Sequence, residues 1–412
     1  MPKNSKKSSS SETRKPKEKF GTFLGVYTPS VLTILGLIMY LRFGWVVGNL
    51  GLPLTLLVLL LSTAITFITG LSASAVATNM RVGVGGEYFI ISRSLGLELG
   101  GAIGIPLFLC RTLSITFYSF GLAESIVAFW PAGWGAVTPG LIQMISAGII
   151  ICITLVAGRS AGLALKLQIP IMLAVGLSIV ALAIGVLFGD MRMPELNATF
   201  RSAPEGFWYV FAVFFPAVTG FTAGIGMSGD LKDPQRSIPI GTMLAILTGI
   251  TAYSFILVLL SITAQVSVDQ LSQPGIVWVH LAVLGAWLVL PGVWGAILSS
   301  AFGSVLSGPR VLQALATDGL APKIFTRLSS TGQPTLATWV SGALALVAVL
   351  LGELNAVAQF VTILFLTLLR HNQSECRTGD ARRRSILPAE DQDSLVCIPA
   401  GLVRCHAGNV SH

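Results

Sequence analysis

This chain is short of charge. Only 11% of its 412 residues are Asp, Glu, Lys or Arg, against 53% hydrophobic, and the mean hydropathy is +0.79. A water-soluble fold of this size would lack the polar surface to cover itself, so lipid is the expected solvent for most of the chain. Histidine (4) and cysteine (5) are also scarce, and three of each fall after residue 370. Cys376, Cys397, Cys405 and His406 lack the ligand spacing of a zinc site, while Cys110 and Cys152 sit in apolar runs. Neither a transition-metal centre nor a disulfide framework is therefore expected. The body of the chain also lacks a phosphate-cradling loop, an activated nucleophile and paired catalytic carboxylates. These absences argue against a membrane enzyme or an ATP-driven pump, and no cofactor is expected.

What the chain has is a series of apolar runs, each near the roughly 20 residues a helix needs to cross a hydrocarbon core. They lie at about Thr22 to Val47, Pro53 to Thr78, Leu99 to Phe129, Gly140 to Val156 and Leu163 to Phe188. Five more follow at Trp208 to Met227, Ile238 to Ala264, Val277 to Leu306, Thr335 to Leu351 and Ala356 to Leu369. The expected fold class is an all-α polytopic membrane protein of about ten transmembrane helices.

Lysine and arginine fix its orientation. The N-terminal arm carries Lys3, Lys6, Lys7, Arg14, Lys15, Lys17 and Lys19. Alternate loops then carry Arg81 and Arg93, Arg159 and Lys166, Lys232 and Arg236, and Arg310, Lys323 and Arg327; the intervening loops hold only Arg192 and Arg201. Positive residues stay inside, so the N-terminus is expected to be cytoplasmic and the protein to lie in the plasma (cell inner) membrane. The arm, residues 1–20, has no apolar h-region and is read as a disordered basic cytoplasmic anchor rather than a signal peptide or a nucleic-acid ligand. Its charge also suits anionic lipid.

Two runs are interrupted in corresponding places. The first reads GVYTPSVLTILGLIMYLRFGW, with Pro29 and Gly36; the sixth reads FFPAVTGFTAGIGMSGDL, with Pro216, Gly220, Gly224 and Gly226. Five spans apart, they fit the broken first helices of two inverted repeats, whose unwound centres offer free carbonyls and amides at mid-membrane. Ordinary kinks for close packing are the alternative. Within PGVWGAILSSAFGSVL, Ser299 and Ser300 put adjacent hydroxyls at bilayer depth, where a desolvated cation can use their oxygens. Each serine can instead bond back to the carbonyl four residues earlier.

Five segments together resemble the cation-chloride cotransporters of the amino acid-polyamine-organocation superfamily. They are ILGLIMYLRFGWVVGNLG in span one, GGEYFIISRSLGLELGGAIG after span two and FYSFGLAE in span three. FFPAVTGFTAGIGMSGDLKDPQRSIPIGT follows in span six, and LSSAFGSVLSGPRVLQALATDG in span eight. The resemblance covers roughly residues 20–368 and implies a broken-helix inverted-repeat (5+5) transporter bundle over residues 21–369, with repeats at about 21–190 and 206–369.

The same resemblance implies three ion sites. Sodium would take the carbonyls of Leu32, Leu35 and Ala296 with the hydroxyls of Ser299 and Ser300; potassium-chloride members lack the second serine, so sodium coupling is favoured. Potassium would take Tyr118, Thr33, Ile34, Pro216 and Thr219, with Thr33 standing where animal members often have Asn. Chloride would take backbone amides at Gly36, Leu37 and Ile38 and at Gly220, Phe221 and Thr222. Free amides at a half-helix start attract anions whatever their side chains. Arg42 and Glu124 match an ion pair that closes the outer vestibule, with a static structural pair as the alternative. Arg111 has no assignment.

The expected function is a secondary active symporter coupling sodium and/or potassium to chloride by alternating access. Its partners would be the inorganic ions Na+, K+ and Cl- and the lipid bilayer, with no nucleic acid and a homodimer left open. A sodium-coupled amino-acid permease is one alternative, because the amides near Gly36 and Gly220 also suit a carboxylate. A non-transporting, truncated membrane protein is another.

The chain changes character after Thr367. Residues 370–412 read as an aberrant, disordered polar tail, and the tyrosine that the family places at the anion site in span ten is here Leu369. One set of codons for Leu369 to Cys376, read one base later, gives Tyr-Val-Thr-Ile-Asn-Leu-Ser. That would restore both an apolar span and the tyrosine, so a truncation or frameshift in span ten is expected. Genomic sequence across codon 369 should show a displaced reading frame that continues downstream; an unbroken frame with no alternative coding would contradict it.

Overall fold

The computed structural model describes residues 20–366 except 80–81, 84, 160–167, 194–204, 227, 274 and 330–332. Residues 1–19 of the basic arm, loop residues Arg81, Lys166 and Arg201, position 369 and the tail lie outside the described residues. Among the described residues seven helices have the length and apolarity to cross a membrane. The first of these, Phe23–Asn79, runs for 57 residues, about twice what one crossing needs. It divides at Gly51, whose φ of 70° and ψ of 169° no helix contains. Pro53 follows and removes a further backbone donor, so the sequence boundary between spans one and two falls where the backbone turns.

Spans three to seven are Leu97–Val127, Pro139–Arg159, Gln168–Leu187, Phe207–Gly226 and Pro234–Ile262. Span eight is Ala286–Thr317, and the shorter apolar helices Thr335–Leu351 and Leu354–Leu366 supply spans nine and ten. The chain is thus an all-α polytopic membrane protein, with ten apolar helical segments among the described residues once the first is divided. Span seven starts cleanly because Asp233 accepts the Arg236 N–H at 3.3 Å and Pro234 occupies the first turn, where its missing donor costs nothing.

Span eight departs from the sequence expectation of Val277 to Leu306. Trp278–Leu281 is a separate short helix, and the chain reverses through Leu284 (φ 59°) and Gly285 (φ 44°) before the long helix begins at Ala286. Hydropathy cannot see this turn because both of its sides are apolar. The helix then continues to Thr317, eleven residues past the expected end at Leu306.

Spans of the first half pack on spans of the second. Span one packs on span six, span two on span seven and span three on span eight. Gly70 of span two lies against Ile246 and Met243 of span seven, where a methyl group would be 2.8 Å from each side chain.

Spans one and six break where they cross. Phe23–Tyr27 is a π turn whose wide pitch brings the chain to Pro29 in the first turn of Thr28–Ile34. That helix ends at Leu35 (φ -74°, ψ 39°), and a new one begins at Leu37. Span six is tightened rather than unwound: Phe215–Phe221 is 3-10 helix between Phe207–Phe214 and Thr222–Gly226. A seven-residue 3-10 stretch inside a helix is unusually long.

The two breaks touch backbone to backbone, since a methyl on Gly220 would be 2.6 Å from the Ile34 nitrogen and 2.8 Å from the Thr33 carbonyl carbon. Gly220→Ala should therefore cost about 1–3 kcal/mol by overpacking. Gly303→Ala in span eight, where nothing lies within 4 Å of the added methyl, should be neutral or stabilising. Thermal unfolding of the two purified variants in one detergent checks this. Equal effects would contradict the contact.

Candidate functional site

The crossing gathers polar oxygens into the centre of an apolar bundle. At the first break the Gly36 N–H turns back to the Ile34 carbonyl at 2.7 Å, so the regular four-residue spacing is lost. Gly36 faces span eight: the site of its absent methyl is 3.2 Å from the Leu32 carbonyl oxygen and 3.6 Å from Ser300 Oγ. Ser300 is buried and donates to the Ala296 carbonyl at 2.9 Å. This is the back-bond weighed as an alternative to an ion role. It is compatible with either, because a hydroxyl that donates one hydrogen keeps its lone pairs. Ser299 is half-buried beside it.

The second oxygen set adjoins the first. Tyr118 of span three is buried close to Ser300. Thr33 Oγ1 donates to the Pro29 carbonyl at 2.8 Å, and Thr219 Oγ1 to the Pro216 carbonyl at 2.9 Å. These hydroxyls hold the broken turns while keeping acceptor capacity. Among the amides, Leu37 and Ile38 open the long helix after the break, in the first turn where N–H groups have no intrahelical acceptor. Gly36, Leu37 and Ile38 are all buried. At the sixth-span break Gly220, Phe221 and Thr222 are buried too, but the Thr222 N–H is already directed at the carbonyls of Thr219 and Gly220.

Two residues at the crossing escaped the sequence reading. Tyr253 of span seven, fully buried, donates to the Ile34 carbonyl and lies 3.2 Å from the Ala217 carbonyl, so one phenol bridges both breaks. Ser30 does the same from span one: its Oγ donates to the Phe221 carbonyl at 3.0 Å and accepts the Gly224 N–H at 3.2 Å. Ser30 carries a weak signal beside Pro29. Tyr253 carries none, since a tyrosine in an apolar helix is usually packing.

Charge is held away from the oxygens. Arg42 and Glu124 meet, with Nη2 at 2.9 Å from Oε2 and 3.1 Å from Oε1, and Arg42 Nε donates to Asn355 Oδ1 at 2.9 Å. The Arg42 side chain is 2% exposed and that of Glu124 22%, so the pair ties spans one, three and ten in a mostly dry place. Arg111, unassigned from sequence, pairs with Glu87 Oε1 at 2.5 Å and reaches the Thr222 carbonyl at 3.3 Å.

The helix that Glu87 opens, Glu87–Leu95, is clasped to the end of span eight. Arg93 pairs with Asp318 at 2.7 Å, and Tyr88 donates to the same carboxylate at 2.8 Å. Burial and then the Asp318 carboxylate raise the Tyr88 hydroxyl well above its usual range, so it stays protonated and a donor. Among the described residues no cluster of His, Cys, Asp and Glu has the makings of a metal site.

Known proteins resemble this sequence. A family model described as amino acid permease matches residues 25–369. Solute carrier family 12 member 1 of Mus musculus is 31% identical over 403 residues, 84% of this chain and 37% of its own length. Solute carrier family 12 member 2 of the same species is 32% identical over 402 residues, 84% of this chain and 33% of its own length. Cation-chloride cotransporter 1 of Oryza sativa subsp. japonica is 31% identical over 410 residues, 85% of this chain and 41% of its own length. The chain thus spans well under half the length of these relatives. With the match running from the first break to span ten and the two breaks crossing at the centre of the bundle, this chain belongs to the amino acid permease family.

Proposed function

We propose that this chain is a secondary active symporter that couples sodium and/or potassium to chloride by alternating access. The observation that carries the reading is the crossing itself, where the Leu32 carbonyl, Ser300 and Tyr118 converge on two broken helices. Neutral hydroxyl and carbonyl oxygens replace a cation's hydration shell without fixing charge in the membrane. The rice relative, named a cation-chloride cotransporter, supports the same substrate class.

In this reading sodium binds between Leu32, Leu35, Ala296, Ser299 and Ser300, and potassium between Tyr118, Thr33, Ile34, Pro216 and Thr219. Chloride is held by amides at Gly36 to Ile38 and Gly220 to Thr222. Bound together, opposite charges cross with little net charge to desolvate. The N-terminus is cytoplasmic and the membrane is the cell's plasma or inner membrane. The Arg42–Glu124 pair then faces outward, and its opening admits ions.

The name of the matching family model favours one rival, a sodium-coupled amino-acid permease, for which the same amides would hold a carboxylate. Rubidium uptake into vesicles containing the chain separates the two. It should require chloride and ignore amino acids; uptake indifferent to chloride would end the proposal. Losing one oxygen from a charged ligand costs about 1.5–3 kcal/mol, or roughly ten- to a hundredfold in apparent affinity. Ser300→Ala should therefore raise the sodium requirement by at least about tenfold, and Tyr118→Phe the rubidium requirement. Unchanged requirements in both variants would contradict the assignment.

A further inference from the structure

Arg111 carries a charge into span three but belongs to none of the ion sets. Its guanidinium hydrogen-bonds through one nitrogen, Nη2, to both Glu87 Oε1 and the Thr222 carbonyl. A guanidinium presents five donors in a planar fork suited to two-on-two recognition of an anion. Glu87 engages that fork through one oxygen on one nitrogen. Thr222 closes the backbone triplet Gly220 to Thr222, so this cation sits against the sixth-span break on the side opposite Arg42. Span three supplies the scale. Arg111 lies seven residues before Tyr118 and Glu124 six after it, about 10 Å and 9 Å along a helix, so the two ion pairs bracket the oxygen cluster.

Glu87 stands on a pivot. Gly85 (φ 111°) and Gly86 (φ 56°), immediately before it, adopt left-handed backbone that favours glycine. Both fit where a side chain would collide: a methyl on Gly86 would be 2.9 Å from Gly226 Cα, and one on Gly85 2.9 Å from the Ala314 side chain. The start of the Glu87–Leu95 helix is thus pressed onto spans six and eight, and the ion pair joins it to span three.

We propose that Arg111 is the countercharge for a small monovalent anion on this side of the crossing, and that Glu87 holds its place when the anion is absent. The inference rests on the chloride symport proposed above and names a residue of its anion path. An arginine at this depth needs a negative partner. Holding both Glu87 and an anion would leave one uncompensated negative charge, so the two alternate on the guanidinium. Departure of Glu87 unties the Glu87–Leu95 helix from span three and leaves it held to span eight through Asp318, so anion arrival and loosening of this end are one event.

Competition has a signature that a merely structural ion pair lacks, because removing the two partners moves anion affinity in opposite directions. The test is the melting temperature of the purified full chain in detergent, with sodium chloride replacing sodium gluconate at constant ionic strength. Melting should rise with chloride. Half-saturation should fall about tenfold in Glu87→Gln and rise about tenfold in Arg111→Gln, and the double variant should follow Arg111→Gln. Shifts in the same direction, or none, overturn the assignment. Should Arg111→Gln fail to fold, Glu87→Gln decides alone, and an unchanged or raised half-saturation overturns it. A wild-type chain that ignores chloride refutes the proposed symport, and this inference with it, whereas a responsive wild type with concordant variants refutes only the role of Arg111.

Discussion

Everything at the centre of this molecule depends on two backbones meeting at Gly220 and Ile34. Hydrocarbon offers no partner for a peptide group, so a membrane helix breaks only where protein replaces the lost bonds. Here the replacements are specific. Ser30 joins the Phe221 carbonyl to the Gly224 N–H, Tyr253 bridges the Ile34 and Ala217 carbonyls, and Thr33 and Thr219 bond within their own turns. Glycine at 220 lets the breaks approach within contact distance, and that approach brings Leu32 and Gly36 toward Ser300 of span eight. Without the crossing these oxygens, which come from separate spans, would not be brought together.

Charge is arranged around this centre rather than in it. Arg42–Glu124 and Arg111–Glu87 lie on either side of the level of Tyr118, and both are formed at once. Each pair links span three to another element: the second half of span one in one case, the Glu87–Leu95 helix in the other. Because separating a poorly solvated pair is costly unless a new counterion arrives, such pairs respond to ions more readily than apolar contacts do.

The spans were legible because hydropathy reports lipid contact directly, and the break at Gly36 was legible because glycine inside an apolar run is a local signal. The sixth-span break was legible in place but not in form: Pro216 and three glycines announce an interruption, yet nothing local chooses 3-10 tightening over unwinding. The turn at Leu284 and Gly285 was hidden by apolar residues on both sides. Arg42 and Glu124 could be paired only through the family resemblance. Arg111 and Glu87, 24 positions apart with a helix boundary between them, could not be paired from sequence at all. Tyr253 was invisible for the same reason, since its role is set by two carbonyls 219 and 36 positions away.

Whether cations bind where the broken helices cross is decided by a structure of the chain grown or frozen in rubidium chloride. The anomalous signal of rubidium should peak between the Tyr118 hydroxyl and the first and sixth breaks, near Thr33 and Thr219. An ordered crossing with no rubidium there, or rubidium held only elsewhere on the molecule, would contradict it.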